Sequence, residues 1–157
     1  MEIFGLHEYI RDVTRRLGKL GAFAIAPDYY FRKGDLTKVT AQPELMPLVN
    51  SKPDAELFAD LDATVAWAKS QGGNADRLGI MGFCRGGKNV WHYSSHNPNL
   101  KAGVAFYGSL VDKSDAAPKN SMDLVPEIKE PVLGLYGAED TGIKVEQVKE
   151  MEAKLKA

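Results

Sequence analysis

The sequence has a single cysteine, Cys84, so it can form no internal disulfide. No apolar run approaches the ~20 residues that a membrane helix needs. Neither sign of charge dominates: 20 Lys and Arg oppose 21 Asp and Glu, a net charge of −1 over 157 residues. That balance gives no electrostatic reason to expect a nucleic acid or an anionic membrane as partner. There is no internal repeat and no low-complexity tract. The first residues lack the basic and apolar regions of a secretory leader, so a cytoplasmic location is the default expectation. With 44% hydrophobic residues the chain can bury a real core.

What is present is an alternation of short apolar runs with helical periods, the pattern of an α/β fold with a mostly parallel sheet. Ile10, Val13, Leu17 and Leu20 recur at helical spacing, which predicts a helix over about 7–20. Phe23–Ala26 is expected to be a buried strand ended by Pro27. Residues 28–53, with Gly34, Pro43, Pro47 and Pro53, read as a long loop with at most a turn of helix. Ser51 and Asp54 look like a helix start, and Leu57, Leu61, Val65 and Ala68 continue that helix to about Gln71. Strands are expected at 78–81, 102–107 and 132–136, helices at 87–96 and from 145 onward, and a polar loop at 109–130.

The most informative segment is Gly82-Phe83-Cys84-Arg85-Gly86-Gly87, between an expected strand and an expected helix. It matches the elbow pattern Gly-x-nucleophile-x-Gly with cysteine at the apex. Gly82 and Gly86 suit so sharp a reversal, where side chains would collide. An apex at a helix N-terminus favours negative charge, so the Cys84 thiol is expected to ionise below the ~8.5 of a free cysteine. The Arg85 amide would point to where an oxyanion develops. The bland alternative is a buried structural cysteine in a glycine turn. An acid partner is expected after a later strand, since open parallel sheets place their sites beyond the strand C-termini. Asp140 fits, 140 − 84 = 56 residues after the apex, with Glu139 its immediate rival and a solvated loop carboxylate or helix cap the bland alternative.

Together these motifs, with Glu2-Ile3-Phe4-Gly5-Leu6-His7, Ala26-Pro27-Asp28-Tyr29-Tyr30, Ala105-Phe106-Tyr107-Gly108 and Tyr136 to Ile143, resemble the dienelactone hydrolase family of α/β-hydrolases. The resemblance spans essentially the whole chain. It implies an α/β-hydrolase-type sheet flanked by helices and a Cys-Asp-His triad that opens small-molecule lactones or esters without metal or cofactor. It also implies Cys84 as nucleophile, Asp140 as triad acid, the amides of Ile3 and Arg85 as oxyanion hole, and Glu2 as a supporting carboxylate beside the thiol.

The triad base is the missing part. The histidines are His7, His92 and His96, and none follows Asp140. His7 is a weak substitute. His92 and His96 share a helix face, but Tyr93 breaks the His-Glu-x-x-His metal signature, so they read as structural or surface residues. The expectation is therefore one partial hydrolase domain over 1–157, with N-terminal strands and the C-terminal strand and histidine loop missing, and with impaired activity. Unpaired strand edges would favour a homodimer. Arg32, Lys33, Lys38 and Lys52 read as solvated loop charge. The alternatives are a non-catalytic hydrolase-fold protein that binds a ligand or partner chain, and a thiol redox protein. The latter lacks a resolving cysteine, and no Gly-x-Gly-x-x-Gly follows a strand to suggest a dinucleotide site.

Overall fold

The computed structural model describes residues 1–112 and 118–157. It divides into two compact units, Met1–Ala75 and Asp76–Ala157.

The first unit is helical. Helix α1 spans Glu8–Lys19, α2 spans Gln42–Asn50 and α3 spans Asp54–Ser70, with single 3-10 turns at Phe31–Lys33 and Leu36–Lys38. Helix α1 buries Ile10 from the apolar stripe that predicts it, and Gly21 follows its end in a left-handed conformation (φ 91°). Three expectations are corrected in this unit. Phe23–Ala26 forms no strand: apolar content alone does not make one, because a strand needs a neighbour to take its N–H and C=O groups. The Phe23 ring instead lies 6.3 Å from Trp67, and both are about half exposed. The proline-rich stretch contains a nine-residue helix, α2. Pro43 lies in its first turn, where a missing N–H costs nothing, and Leu45 and Val49 are buried, which is worth roughly 1.5–3 kcal/mol for each side chain. Ser51 does not cap α3: its hydroxyl donates to the Leu48 carbonyl at 2.9 Å, and Pro53 occupies the cap position with no side-chain bond.

The second unit holds a three-stranded parallel sheet in the order β1 (Gly79–Phe83), β2 (Ala102–Phe106), β3 (Val132–Leu135). Met81 is opposite Val104, and Val104 is opposite Leu133. Helix α4 (Arg85–His96) packs against β1 and β2, and α5 (Val145–Lys156) packs against a 3-10 segment at Ser121–Glu127. The core gathers Val90 and Trp91 of α4, Ala105 of β2, Leu110, Met122 and Met151 of α5. The opposite faces of Leu133 and Leu135 on β3 are exposed.

The region expected as the polar loop 109–130 is more ordered than that. Asn120 and Asp123 form a reciprocal capping pair, each side chain accepting the other's backbone N–H at 3.0–3.1 Å, and this starts the 3-10 segment. Its stretch 113–117 lies outside the described residues. Among the described residues no helix is long and apolar enough to cross a membrane.

Candidate active site

Strand β1 reverses into α4 within one residue. That residue is Cys84, with φ 55° and ψ −119°, a conformation that residues with a Cβ seldom adopt. Tyr107, at the end of the neighbouring β2, is the other non-glycine residue with positive φ (37°) among the described residues. Strain is therefore concentrated at the C-terminal ends of adjacent strands, where parallel sheets place their chemistry.

Backbone packing explains the bend. The Cys84 N–H donates to the Phe106 carbonyl at 3.0 Å, carrying the β1–β2 pairing through the apex. A Cβ on Gly82 would lie 2.2 Å from the Gly86 carbonyl oxygen, so the strand can approach the helix start only as glycine. A second close approach joins Gly87 to Gly108, where a Cβ on Gly108 would lie 2.2 Å from the Gly87 carbonyl carbon. Sequence reading singled out the Gly82–Gly86 spacing and missed this pairing. Its signal was a third elbow glycine together with a glycine directly after a strand.

The first bond inside α4 runs from the Lys88 N–H to the Cys84 carbonyl at 3.1 Å. By helix geometry the amides of Arg85, Gly86 and Gly87 thus have no acceptor within the helix, and they face the apex as positive ends of peptide dipoles. Cys84 itself is half-buried, and its side chain makes no capping bond. The expectation of a bend between strand and helix, lined by main-chain amides, describes this geometry.

Asp140 follows β3 at the same end of the sheet. Its Oδ1 accepts the N–H groups of Gly142 (2.8 Å) and Ile143 (3.0 Å), so the loop fixes the carboxylate's orientation. It does not cap α5, which begins at Val145 after Lys144. The glutamate before it, Glu139, is exposed. Tyr136 ties the surrounding elements together: its hydroxyl accepts the Trp91 indole N–H at 3.0 Å and donates to the Gly108 carbonyl at 3.1 Å. Burial pushes the Tyr136 phenol up to about 12, against the opposing Trp91 bond, so it stays protonated and keeps donating.

One charged pair lies next to the apex. Lys88 is almost fully buried, and its Nζ reaches Asp112 Oδ1 at 3.0 Å and the Asp112 carbonyl at 3.1 Å. Burial pushes the Asp112 carboxyl up, but Lys88, Ser109 and Arg85 more than offset this and hold it below the ordinary carboxylate range.

In the first unit, Glu2 forms an antiparallel bridge with Gly5, and His7 Nε2 is 2.9 Å from Glu2 Oε2. The His7 ring stacks on Tyr9 (17° between planes) and meets Phe4 edge-on. The structure thus brings Gly82, Cys84, Arg85 and Gly86 to one bend of the second unit and pairs Glu2 with His7 in the first, next to Ile3 in the chain. His92 is buried and His96 exposed. The reading of Lys52 as solvated loop charge is corrected. Lys52 is 5% exposed, with its Nζ 2.9 Å from Glu56 and 2.6 Å from Asp60, and Arg32 bonds the same two carboxylates. Lys33 and Lys38 are exposed as expected, with Lys38 3.2 Å from Asp35. Among the described residues no group of three or more His, Cys, Asp and Glu side chains is arranged to hold a metal ion.

The sequence profile of the dienelactone hydrolase family matches residues 1–157. A protein of Methylorubrum extorquens, provisionally named a carboxymethylenebutenolidase, is 52% identical over 159 residues, which cover 99% of this chain and 55% of that protein. A similarly named protein of Salmonella typhimurium is 50% identical over 158 residues, covering 99% and 58%. The crystal structure of a provisionally named dienelactone hydrolase from Klebsiella pneumoniae superposes with a TM-score of 0.94 at 50% identity, covering 99% of this chain and 65% of that one. The chain therefore spans 55–58% of the length of these two relatives.

Proposed function

Because the chain belongs to the dienelactone hydrolase family, we propose that it carries the nucleophile of a hydrolase acting on small-molecule lactones or carboxylic esters, and that this nucleophile is Cys84. The observation that supports this most is the backbone of Cys84, strained at φ 55° on the bend between β1 and α4. A buried structural cysteine has no need of that conformation, whereas an apex thiol aimed at helix-start amides gains from it.

In this reading the Cys84 thiolate attacks the carbonyl carbon. The negative charge that forms on the carbonyl oxygen is met by the amide of Arg85. The C–O bond to the leaving oxygen then breaks, that oxygen takes a proton, and an acyl-cysteine remains. Water adds to the acyl carbon, the C–S bond breaks, and the acid leaves with the thiolate restored. Asp140 is the acid that orients a base. The proposed steps use no metal or cofactor. The 157 residues contain no histidine after Asp140. On its own this polypeptide should therefore acylate an activated ester faster than it turns it over, since activating the water that attacks the acyl-cysteine needs a base.

The test is p-nitrophenyl acetate with the 157-residue chain. The expected result is an acetyl adduct on Cys84 by mass spectrometry, slow turnover relative to a longer relative, and loss of both in Cys84→Ala. Turnover that persists in Cys84→Ala would sink the assignment of the nucleophile, and turnover equal to that of the relative would sink the impairment. No observation favours a purely ligand- or partner-binding role. Among the described strands, β1 and β3 each pair on one side only. Self-association through those edges is read by light scattering, and a strict monomer excludes it.

A further inference from the structure

Lys88 is the most deeply buried cation among the described residues, at 1% exposure, and the reaction proposed above does not use it. Its position is unfavourable twice over. It lies near the start of α4, where the helix dipole disfavours positive charge. It is also removed from water, which penalises an ammonium heavily. Its partner does not require it for solvation, because the Asp112 side chain is 45% exposed. An apolar side chain of the same length would fill the space without the penalty, so stability alone is a poor reason for this lysine.

What the lysine provides is geometry. Its Nζ bonds two atoms of one residue, the Asp112 carboxylate at 3.0 Å and the Asp112 main-chain carbonyl at 3.1 Å. That arrangement fixes backbone as well as charge. Asp112 closes the segment that leaves β2, and the segment begins with the strained Tyr107 and with Gly108 against Gly87. At the other end, the Lys88 N–H donates to the Cys84 carbonyl. A helical side chain leans toward the helix N-terminus, so the Lys88 stem covers the turn that carries the apex. The other groups acting on Asp112 are the Ser109 hydroxyl and the Arg85 guanidinium, and Arg85 directly follows the apex.

We propose that Lys88 is a positioning residue for Cys84: by gripping Asp112 at two atoms it holds the Tyr107–Asp112 segment against the first turn of α4 and so fixes the surroundings of the thiol. The inference rests on the reading of Cys84 as the nucleophile. It assigns Lys88 no contact with substrate.

Cys84 is the only cysteine, so iodoacetamide reads it without background. The measurement is the alkylation rate against pH for the wild-type chain, Lys88→Met, Asp112→Ala and Lys88→Arg, each with a thermal melt. The wild-type midpoint is expected below the ~8.5 of an ordinary thiol. Lys88→Met and Asp112→Ala, which removes the side-chain acceptor, should both move it upward and slow alkylation at pH 7 by about threefold. Lys88→Arg, which can still reach both atoms, should restore the wild-type profile. Asp112→Ala is the decisive variant and remains usable if Lys88→Met does not fold. A lysine that acted on the thiol through charge alone would have its field strengthened by that change, and the midpoint would move down. Movement in opposite directions, or an unchanged profile beside a changed melt, overturns the positioning role while leaving the thiol assignment intact. A wild-type midpoint at the ordinary value removes the activated thiol, and the inference falls with it.

Discussion

Among the described residues each unit buries one lysine, and the two are held in different ways. In the first unit Lys52 reaches Glu56 and Asp60, which lie on α3 about one turn apart, and Arg32 bonds the same carboxylates as a second cation. Four charges are thus satisfied among themselves. In the second unit Lys88 meets one half-exposed carboxylate and its main-chain carbonyl, 24 residues along the chain. The first arrangement is a closed network that holds helices without a sheet. The second ties a loop to a helix start, in a unit already held by a parallel ladder and a hydrocarbon core. The difference separates two uses of a buried cation: one supports the packing of its unit, while the other adds position where packing already suffices.

The comparison breaks most severely at the backbone contact of the second unit. Gly108→Ala forces a Cβ to 2.2 Å from the Gly87 carbonyl carbon. The expected loss is about 3 kcal/mol in urea unfolding, as for overpacked cores. A loss near zero would mean that the two glycines do not need their close approach.

Next comes the closed network. Lys52→Met leaves Glu56 and Asp60 with Arg32 alone, and should cost about 2 kcal/mol, below a fully buried pair because the carboxylates keep some solvent. The same variant tests the sign of the acid response. Lys52 lowers the Glu56 carboxyl below its ordinary 4.5, and Lys52 and Arg32 together carry Asp60 below its ordinary 3.8 despite the opposing effect of burial. Their stabilisation is complete above those ordinary values and is lost as pH falls through the lower folded ones. The wild-type melting midpoint should therefore drop below pH ~4, and Lys52→Met should flatten that drop.

A smaller effect is expected from Tyr136→Phe, which strips a partner from the Trp91 indole and from the Gly108 carbonyl, at about 1.5 kcal/mol. The smallest is Arg32→Gln, whose side chain is half exposed and whose two carboxylates keep Lys52. Its melting midpoint should shift least of the four. A shift as large as that of Lys52→Met would mean that the network depends on its exposed member.

The sheet was legible because each strand carries its own signal: a short apolar run closed by a glycine turn, as in Gly79–Phe83 followed by Cys84-Arg85-Gly86. Cys84 was legible at the apex for the same reason, since Gly82 and Gly86 are local requirements of the bend. The failures share a different cause. Phe23–Ala26 has strand composition but finds no ladder. Helix α2 hides behind two prolines, one of them harmless in the first turn. The burial of Lys88 and the approach of Gly108 to Gly87 depend on residues brought together across β2, which no spacing rule reports. Lys52 is the instructive middle case: Glu56 lies only four residues away, yet that spacing does not report that the lysine is desolvated.

The aromatic pair Phe23–Trp67 and the buried Trp91 have a practical consequence. The chain holds two tryptophans, one in each unit, with Trp67 54% exposed and Trp91 1% exposed. Iodide should quench the red-shifted emission of the first and spare the blue emission of the second. Intrinsic fluorescence then resolves the two units separately, without any label.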